Sequence, residues 1–352
     1  MKQPTIYINA RFLTQPISGV QRFAIELSKE LKKSNIPVEF VTPSNIIHKE
    51  LAEYLEAKTI GWGLLKGHLW EQIILQFYIL RKNKLLISFC NTAPIFVKKQ
   101  IVTIHDLAFR VKPEWFSKLF SLTYNLMIPL IAKKAKHVLT VSSTSKKEIV
   151  EELNLDEEKI TVIYNGISSV FLEKVENSFI RSKNYILTVS SHHPRKNFNN
   201  LTQAFKLIEE QDLNLYVIGN FNKHFSGSIQ YFEMDNRIIF LENISDKELT
   251  NYYKNARMFV YPSVYEGFGI PIIEAMSQCL QVCVSNIEVF KEVCGEKAIY
   301  FDPYDINDIK AKILQGLNTK LKPEYNLEKY SWNKSFKKLE KCILAIQDIN
   351  SK

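Results

Sequence analysis

Twice along this chain, short apolar runs alternate with amphipathic helical patterns, and few architectures accept that rhythm. In the first series, residues 5–9, 38–41, 85–89, 101–104, 137–141 and 160–163 read as strands. Between them, Val20, Phe23, Ala24, Leu27 and Leu31 fall at helical spacing over residues 20–32. Residues 131–136 end a second helix and 145–153 form a third. The rhythm restarts with strands at 185–189, 213–218, 237–241, 258–261 and 281–285. Helices at 198–210, 246–255 and 272–277 separate them. Such alternation builds parallel sheets with helices on both faces. The chain is therefore predicted to be α/β, with two doubly wound Rossmann-like domains at 1–172 and 183–331. The polar, charge-rich stretch 171–183 is the expected boundary, and residues 332–349 have helical spacing that would suit packing on either domain.

The 352 residues suffice for two cores, and 46% hydrophobic with 24% charged residues excludes a disordered or collagen-like chain. Five scattered cysteines without a C-x-x-C pair predict neither a zinc site nor a disulfide framework, and point to a reduced, cytoplasmic setting. Cys279 and Cys283 read as core residues. The start, MKQPTIYINARFL, lacks the apolar core of a signal peptide, and no apolar run is long enough to span a bilayer. Residues 119–132 are apolar and lead into Lys133, Lys134 and Lys136. A core helix with a basic end fits that pattern better than a surface touching anionic lipid, though the latter keeps peripheral membrane association open. The net charge of +9 is not gathered in one tract and no nucleic-acid module appears, so nucleic acid is not an expected partner.

In open parallel sheets, ligands bind at the carboxyl ends of strands. Residues 265–274, YEGFGIPIIE, follow the strand at 258–261. Two glycines there bring backbone N–H groups to the head of a helix, an arrangement that suits an anion or sugar hydroxyls. Glu266 and Glu274 could reach different hydroxyls of one ligand; an ordinary turn with a first-turn acid is the plainer reading. Arg195 and Lys196 follow the strand at 185–189 and would suit a diphosphate, or form a solvated basic turn. His105 and Asp106 follow the strand at 101–104, where His105 is either a hydrogen-bonding catalytic group or a core-edge histidine. His192 and His193 are weak metal candidates. Ser18-Gly19 opens the first helix with one glycine, so the G-x-G-x-x-G dinucleotide fingerprint is missing. Also missing are a P-loop, a G-x-S-x-G elbow and any D-x-D that would hold a metal on a diphosphate.

Taken together, these residues resemble the retaining, two-Rossmann-domain (GT-B) nucleotide-sugar glycosyltransferases of family four, over nearly the whole chain. Residues 261–274, YPSVYEGFGIPIIE, match that family's E-x7-E signature. Leu69-Trp70-Glu71-Gln72, residues 89–94 (FCNTAP) and Ile104-His105-Asp106-Leu107 match its subgroup in bacterial polysaccharide and O-antigen assembly. The resemblance implies two domains facing across a cleft, the terminal helix returning to the first. It implies a donor site in the second domain. Glu274 would accept from the ribose, and Arg195 and Lys196 would neutralise the diphosphate in place of a metal. Glu266, Gly267, Phe268, Gly269 and Ile270 would position the donor sugar. Gly219 and Ile244 would lie by the nucleotide, and Gly19 would admit the diphosphate from the other domain. Asn91, Thr92, His105 and Asp106 would form the acceptor side, His105 facing the donor sugar. No cofactor or metal is implied beyond the nucleotide-sugar co-substrate; the acceptor would be a saccharide or lipid-linked saccharide. Ser190 and the Cys279-Leu280-Gln281 run depart from the family's usual glycine and G-[TS]-P. A sugar-diphosphate epimerase of the same plan and a non-catalytic nucleotide-sugar-binding scaffold are the alternatives.

Overall fold

A computed structural model describes residues 5–61, 63, 65–173, 184–191, 193–219, 235–319 and 323–349. The chain divides into two compact units, 1–166 with 331–352, and 167–330. The boundary thus falls earlier than residues 171–183. Phe171 explains the shift: its ring meets Tyr253 edge-on and its carbonyl accepts from Gln278, so the segment belongs to the second core.

The first unit holds a seven-stranded sheet in the order β3-β2-β1-β4-β5-β6-β7. Its strands are β1 (Ile6–Asn9), β2 (Val38–Thr42), β3 (Lys58–Thr59), β4 (Leu86–Ser88), β5 (Gln100–Thr103), β6 (His137–Thr140) and β7 (Ile160–Val162). The second holds six strands in the order β10-β9-β8-β11-β12-β13. These are β8 (Tyr185–Val189), β9 (Asn214–Ile218), β10 (Ile238–Leu241), β11 (Met258–Tyr261), β12 (Gln281–Ser285) and β13 (Ile299–Phe301). Every pairing is parallel, with Tyr7 opposite Leu86 and Phe259 opposite Leu187 at the two central joins. The central strands are buried on both faces, which is why they read as continuous apolar runs.

In both sheets the strand order reverses beside the first strand of the series, between β1 and β4 and between β8 and β11. Loops leaving two such neighbours diverge and open a crevice at the strands' carboxyl ends. The last helix, Trp332–Ile349, packs on the first unit: the Ser335 hydroxyl donates to the Tyr164 carbonyl at 2.6 Å, and Trp332 meets Phe23 edge-on. Two core expectations change. Cys283 is buried but Cys279 is exposed, in a left-handed turn at φ 55°. The helix predicted to be core, Lys118–Lys134, buries Met127, Ile128, Ile131 and Ala132 yet leaves Leu119, Leu122, Leu126 and Leu130 in solvent.

Candidate functional site

A polar cluster of the second unit lies where β8 and β11 diverge. After β8, residues Pro194–Lys196 form a single 3-10 turn whose N–H at Arg195 donates to His193 Nδ1 at 3.3 Å. Proline presets the turn's φ, and Asn197 ends it in the left-handed conformation, anchored by its side-chain amide on the Pro303 carbonyl at 2.7 Å. The turn is tied to the loop after β11 because the Val264 N–H donates to the Arg195 carbonyl at 2.8 Å.

Lys196 and Glu266 form a buried ion pair through Nζ and Oε1. Lys196 also donates to the Tyr261 hydroxyl at 3.0 Å, and that hydroxyl donates to Glu266 Oε1 at 3.0 Å. Lys196 is only 6% exposed, so the pair lies largely outside water. Burial pushes the Glu266 carboxyl up, but the charges of Lys196 and Arg195 outweigh it and hold the group at about 2. Burial raises the Tyr261 hydroxyl well above its ordinary range, so it stays a proton donor. Arg195 adds a second, half-exposed cation beside the pair.

Gly269 heads the helix Ile270–Ser277 at φ 99°, a conformation that glycine takes without penalty. A Cβ there would also meet Ile272 and Phe290 at 3.0 and 3.2 Å. The turn leaves Gly267 and Phe268 buried, with Phe268 edge-on to Tyr330. Glu274, one turn into the helix, is buried and accepts from the Tyr253 hydroxyl at 3.0 Å.

Gly219, at the end of β9, makes a close backbone approach. A Cβ there would lie 1.8 Å from the Ser190 carbonyl oxygen, so the glycine lets two backbones touch and fixes the loop after β8. Ile244 is half-buried just before Ser245, which caps the helix Asp246–Asn255 in a reciprocal capping box with Glu248. His192 lies outside the described residues.

The first unit has a second buried cluster at its own point of reversal, which sequence reading left unassembled. Glu71 is completely buried in a π-helical turn, Trp70–Leu75. Its Oε1 accepts from Asn9 at 2.7 Å and lies 3.5 Å from Arg11 Nε. Arg11 in turn donates to the Thr92 hydroxyl at 2.9 Å. Burial pushes the Glu71 carboxyl up, and Arg11 and His68 outweigh it, leaving it below the usual range. Thr92 is buried, and its neighbour Asn91, at φ 54°, accepts the His105 N–H at 2.8 Å. The His105 ring donates from Nε2 to the Phe89 carbonyl at 2.8 Å, since a carbonyl can only accept. Nδ1 is therefore the acceptor nitrogen of a ring that burial keeps neutral. Asp106 accepts from the Ala108 N–H at 3.1 Å, holding the turn that follows. Gly19 is exposed as the first residue of the helix Gly19–Lys33.

Tyr261, Tyr253, Asn9 and Arg11 escaped the sequence reading. The signal for Tyr261 was available as the single polar-tipped residue closing an otherwise apolar strand, MFVY. For Asn9 and Arg11 only a polar break after the apolar β1 run marked the place.

Residues 17–170 match the family model for Glycosyltransferase Family 4, and residues 171–333 that for Glycosyl transferases group 1. An O-antigen chain mannosyltransferase of Salmonella typhimurium is 32% identical over 270 residues, 75% of this chain and 72% of that protein. O-antigen chain mannosyltransferase B of Escherichia coli is 27% identical over 86% of this chain and 87% of its own length. Among solved structures, sucrose-phosphate synthase from Thermosynechococcus elongatus superposes with a TM-score of 0.75 at 17% identity, covering 100% of both chains. The Anabaena protein HepE with UDP and glucose gives 0.72 at 15% identity, over 97% of this chain and 99% of that one. Its two parallel-sheet domains, family matches and mannosyltransferase relatives together establish that this chain belongs to the family-four glycosyltransferases of the GT-B type.

Proposed function

We propose that this chain moves a mannosyl-type hexose from a nucleoside-diphosphate sugar, retaining the anomeric configuration, to a lipid-linked saccharide in O-antigen synthesis. The names of its relatives support the sugar and the pathway; a guanosine diphosphate donor is the leading choice and a uridine one the competitor. The observation that carries the reading is the Lys196–Tyr261–Glu266 cluster beside Arg195. A sugar diphosphate is anionic on one side of its anomeric bond and neutral, hydroxyl-rich on the other. Lys196 and Arg195 suit the first side, and Glu266 with the N–H groups from Phe268 to Ile270 suits the second. The ion pair brings both functions together at that bond. Glu274, held by Tyr253, would accept from the ribose hydroxyls.

In the step itself, the bond from the anomeric carbon to the diphosphate oxygen breaks with its electron pair staying on the diphosphate. The acceptor hydroxyl oxygen bonds to the same face, and its proton passes to the departing diphosphate. Preset cations stabilise the charge that develops, without reorganisation. This is the basis for proposing that no metal is needed. Glu266, held ionised, orients the sugar and stabilises positive charge at carbon without becoming a covalent nucleophile. His105 Nδ1 is proposed to accept a hydroxyl of the sugar, with Asn91 and Asp106 shaping its loop.

Thermal unfolding with a panel of nucleoside diphosphates and nucleotide sugars, with and without chelator, tests the donor. A selective shift by one nucleotide, unchanged by chelator, is the expected result. A panel without any shift overturns the reading, and a shift without hydrolysis or transfer would favour the nucleotide-sugar-binding scaffold. Interconversion of the sugar without transfer to an acceptor would favour an epimerase.

A further inference from the structure

An apolar surface of the first unit lies outside both clusters. Two helices contribute to it: residues 67–82, running through Gly67–Leu69, Trp70–Leu75 and Gln76–Lys82, and the helix Lys118–Lys134. Each buries one face in the unit's core and leaves a second apolar face in water. Leu69, Ile73, Phe77 and Leu80 are exposed on the first; Leu119, Leu122, Leu126 and Leu130 on the second. A helix apolar on both sides belongs in a core or against a second apolar phase.

The two stripes form one surface. His68 Nε2 bonds the Tyr124 hydroxyl at 3.1 Å and Gln72 reaches Met127 Sδ at 3.7 Å, so the helices run side by side in the same direction. On the first helix the exposed residues 69 and 73 each follow a contact residue by one position. On the second, 126 precedes its contact residue, Met127, by one. A step of one residue turns a helix face by about 100°. Opposite steps on two parallel neighbours swing both faces to the same side. Phe96 extends the patch at 62% exposure, with Lys134 over its ring at 4.5 Å and Gln76 bonding its N–H at 3.0 Å.

Charge identifies what the patch meets. Lys66, Arg81, Lys82, Lys84, Lys133 and Lys136 are exposed around it. Lys133, Lys134 and Lys136 form no ion pair among the described residues. The helix Lys118–Lys134 contains no acid, and the sole acid of residues 67–82 is the buried Glu71. Bordering acids are answered: Glu39 pairs with Lys58, Glu152 with Arg110, and Glu114 stands between Lys112 and Lys118 in sequence. By contrast, Lys32 and Lys33 at the end of the first helix are paired with Glu56 and Glu30, so that basic end is compensated. A groove of about 730 Å³ beside Phe77 is lined by Ile73, Ile74, Tyr78, Arg81 and Lys82, an apolar floor with two cations. No helix among the described residues is long and apolar enough to cross a membrane.

We propose that this two-helix face docks on an anionic lipid bilayer, its leucines and phenylalanines entering the headgroup–acyl boundary and its lysines meeting lipid phosphates. Apolar burial and attraction to anionic lipid are the two sources of interfacial binding, and both are built here on one face. This inference stands on the surface alone and holds whether or not the transfer reading does.

Co-sedimentation with vesicles of phosphatidylcholine, alone or mixed with phosphatidylglycerol, tests it at low and high salt. The wild type is expected to pellet with the mixed vesicles at low salt and to be released by high salt. Leu122→Glu/Leu126→Glu should lower partitioning at least tenfold. Lys133→Glu/Lys136→Glu should lower it about fivefold per lysine removed. Both variants change exposed positions, so thermal unfolding should match wild type, and stabilisation by a nucleoside diphosphate should be retained. Failure of the wild type to pellet at low salt overturns the proposal, as does unchanged pelleting of the leucine variant. A dimer in solution that the leucine variant dissolves, without vesicle binding, assigns the face to a second copy instead.

Discussion

Both units bury a carboxylate–cation pair at the place where strand order reverses, and the two pairs are built differently. In the second unit, Glu266 Oε1 receives Lys196 and the Tyr261 hydroxyl in one closed triangle. In the first, Glu71 Oε1 receives Asn9, while Arg11 Nε stands off at 3.5 Å and Nη2 of the same guanidinium donates to the Thr92 hydroxyl. Glu71 Oε2 and Arg11 Nε have no hydrogen-bond partner among the described residues. The same topology therefore carries a tight pair formed from two loops and a looser pair that braces a third. A buried pair is expensive unless its geometry is good. The tight triangle fits a site that must hold charge ready for a ligand. The looser one fits a scaffold, reaching through Thr92 to Asn91 and so to His105.

Breaking the tight pair should have the largest effect. Lys196→Met leaves Glu266 buried without its cation and is expected to cost about 3–5 kcal/mol in denaturant unfolding. Adding Glu266→Gln should restore most of that stability but no transfer. If the double variant stays as unstable as the single one, the triangle is not the reason for the cost. If it transfers sugar at the wild-type rate, the pair has no part in the chemistry.

Next comes the backbone contact that frames the same site. Gly219→Ala would push a methyl to 1.8 Å from the Ser190 carbonyl, so β9 or the loop after β8 must shift. A loss of about 3 kcal/mol is expected, at the upper end for overpacking. Stabilisation by nucleoside diphosphate should weaken along with it. Full stability with normal nucleotide binding would mean that the loop yields freely.

The looser pair should be cheaper to disturb. Glu71→Gln keeps an acceptor for Asn9 and removes the charge facing Arg11, with an expected cost of about 1–3 kcal/mol. Because Glu71 is linked to His105 through Arg11, Thr92 and Asn91, it is a positioning residue. Its variant should lower kcat for transfer while leaving the nucleotide-induced thermal shift unchanged. A reduced nucleotide shift would break the separation of the two clusters.

This difference also explains what could be read in the sequence. The second cluster was legible because its carboxylates and glycines lie within ten consecutive residues and its cations directly follow a strand. The first was not, since Asn9, Arg11, Glu71 and Thr92 are drawn from three separated segments and only folding joins them. Strands β1, β8 and β11 were legible from their apolar runs, whereas β3, just Lys58–Thr59 and exposed, carries no apolar signal. Helix Lys118–Lys134 misled for a physical reason: an apolar residue facing water and one facing a core are the same letter. Its π-helical neighbour also breaks the 3.6-residue period from which amphipathicity is read.

Stability against pH should separate the groups by window, with the smallest effect of the set. Burial lowers His105 and His137 in the folded chain, so the unfolded chain takes up protons first as pH falls through about 6.5. Their contribution is full above that value and is lost below it, down to their folded pKa values. Glu266, lowered to about 2, behaves in a different range: its contribution is full above the unfolded carboxylate value of about 4.5 and is lost toward pH 2. Glu71 is shifted in the same direction as Glu266. Urea unfolding of wild type and Glu266→Gln should therefore differ by a constant amount from pH 7 to 5, with the gap narrowing only below about 4.5. His105→Gln should instead flatten part of the wild-type loss between pH 6.5 and 5. A gap that already closes at pH 6 would mean that Glu266 is not held by the cations around it, and the contrast between a tight and a loose pair would fail at its tight end.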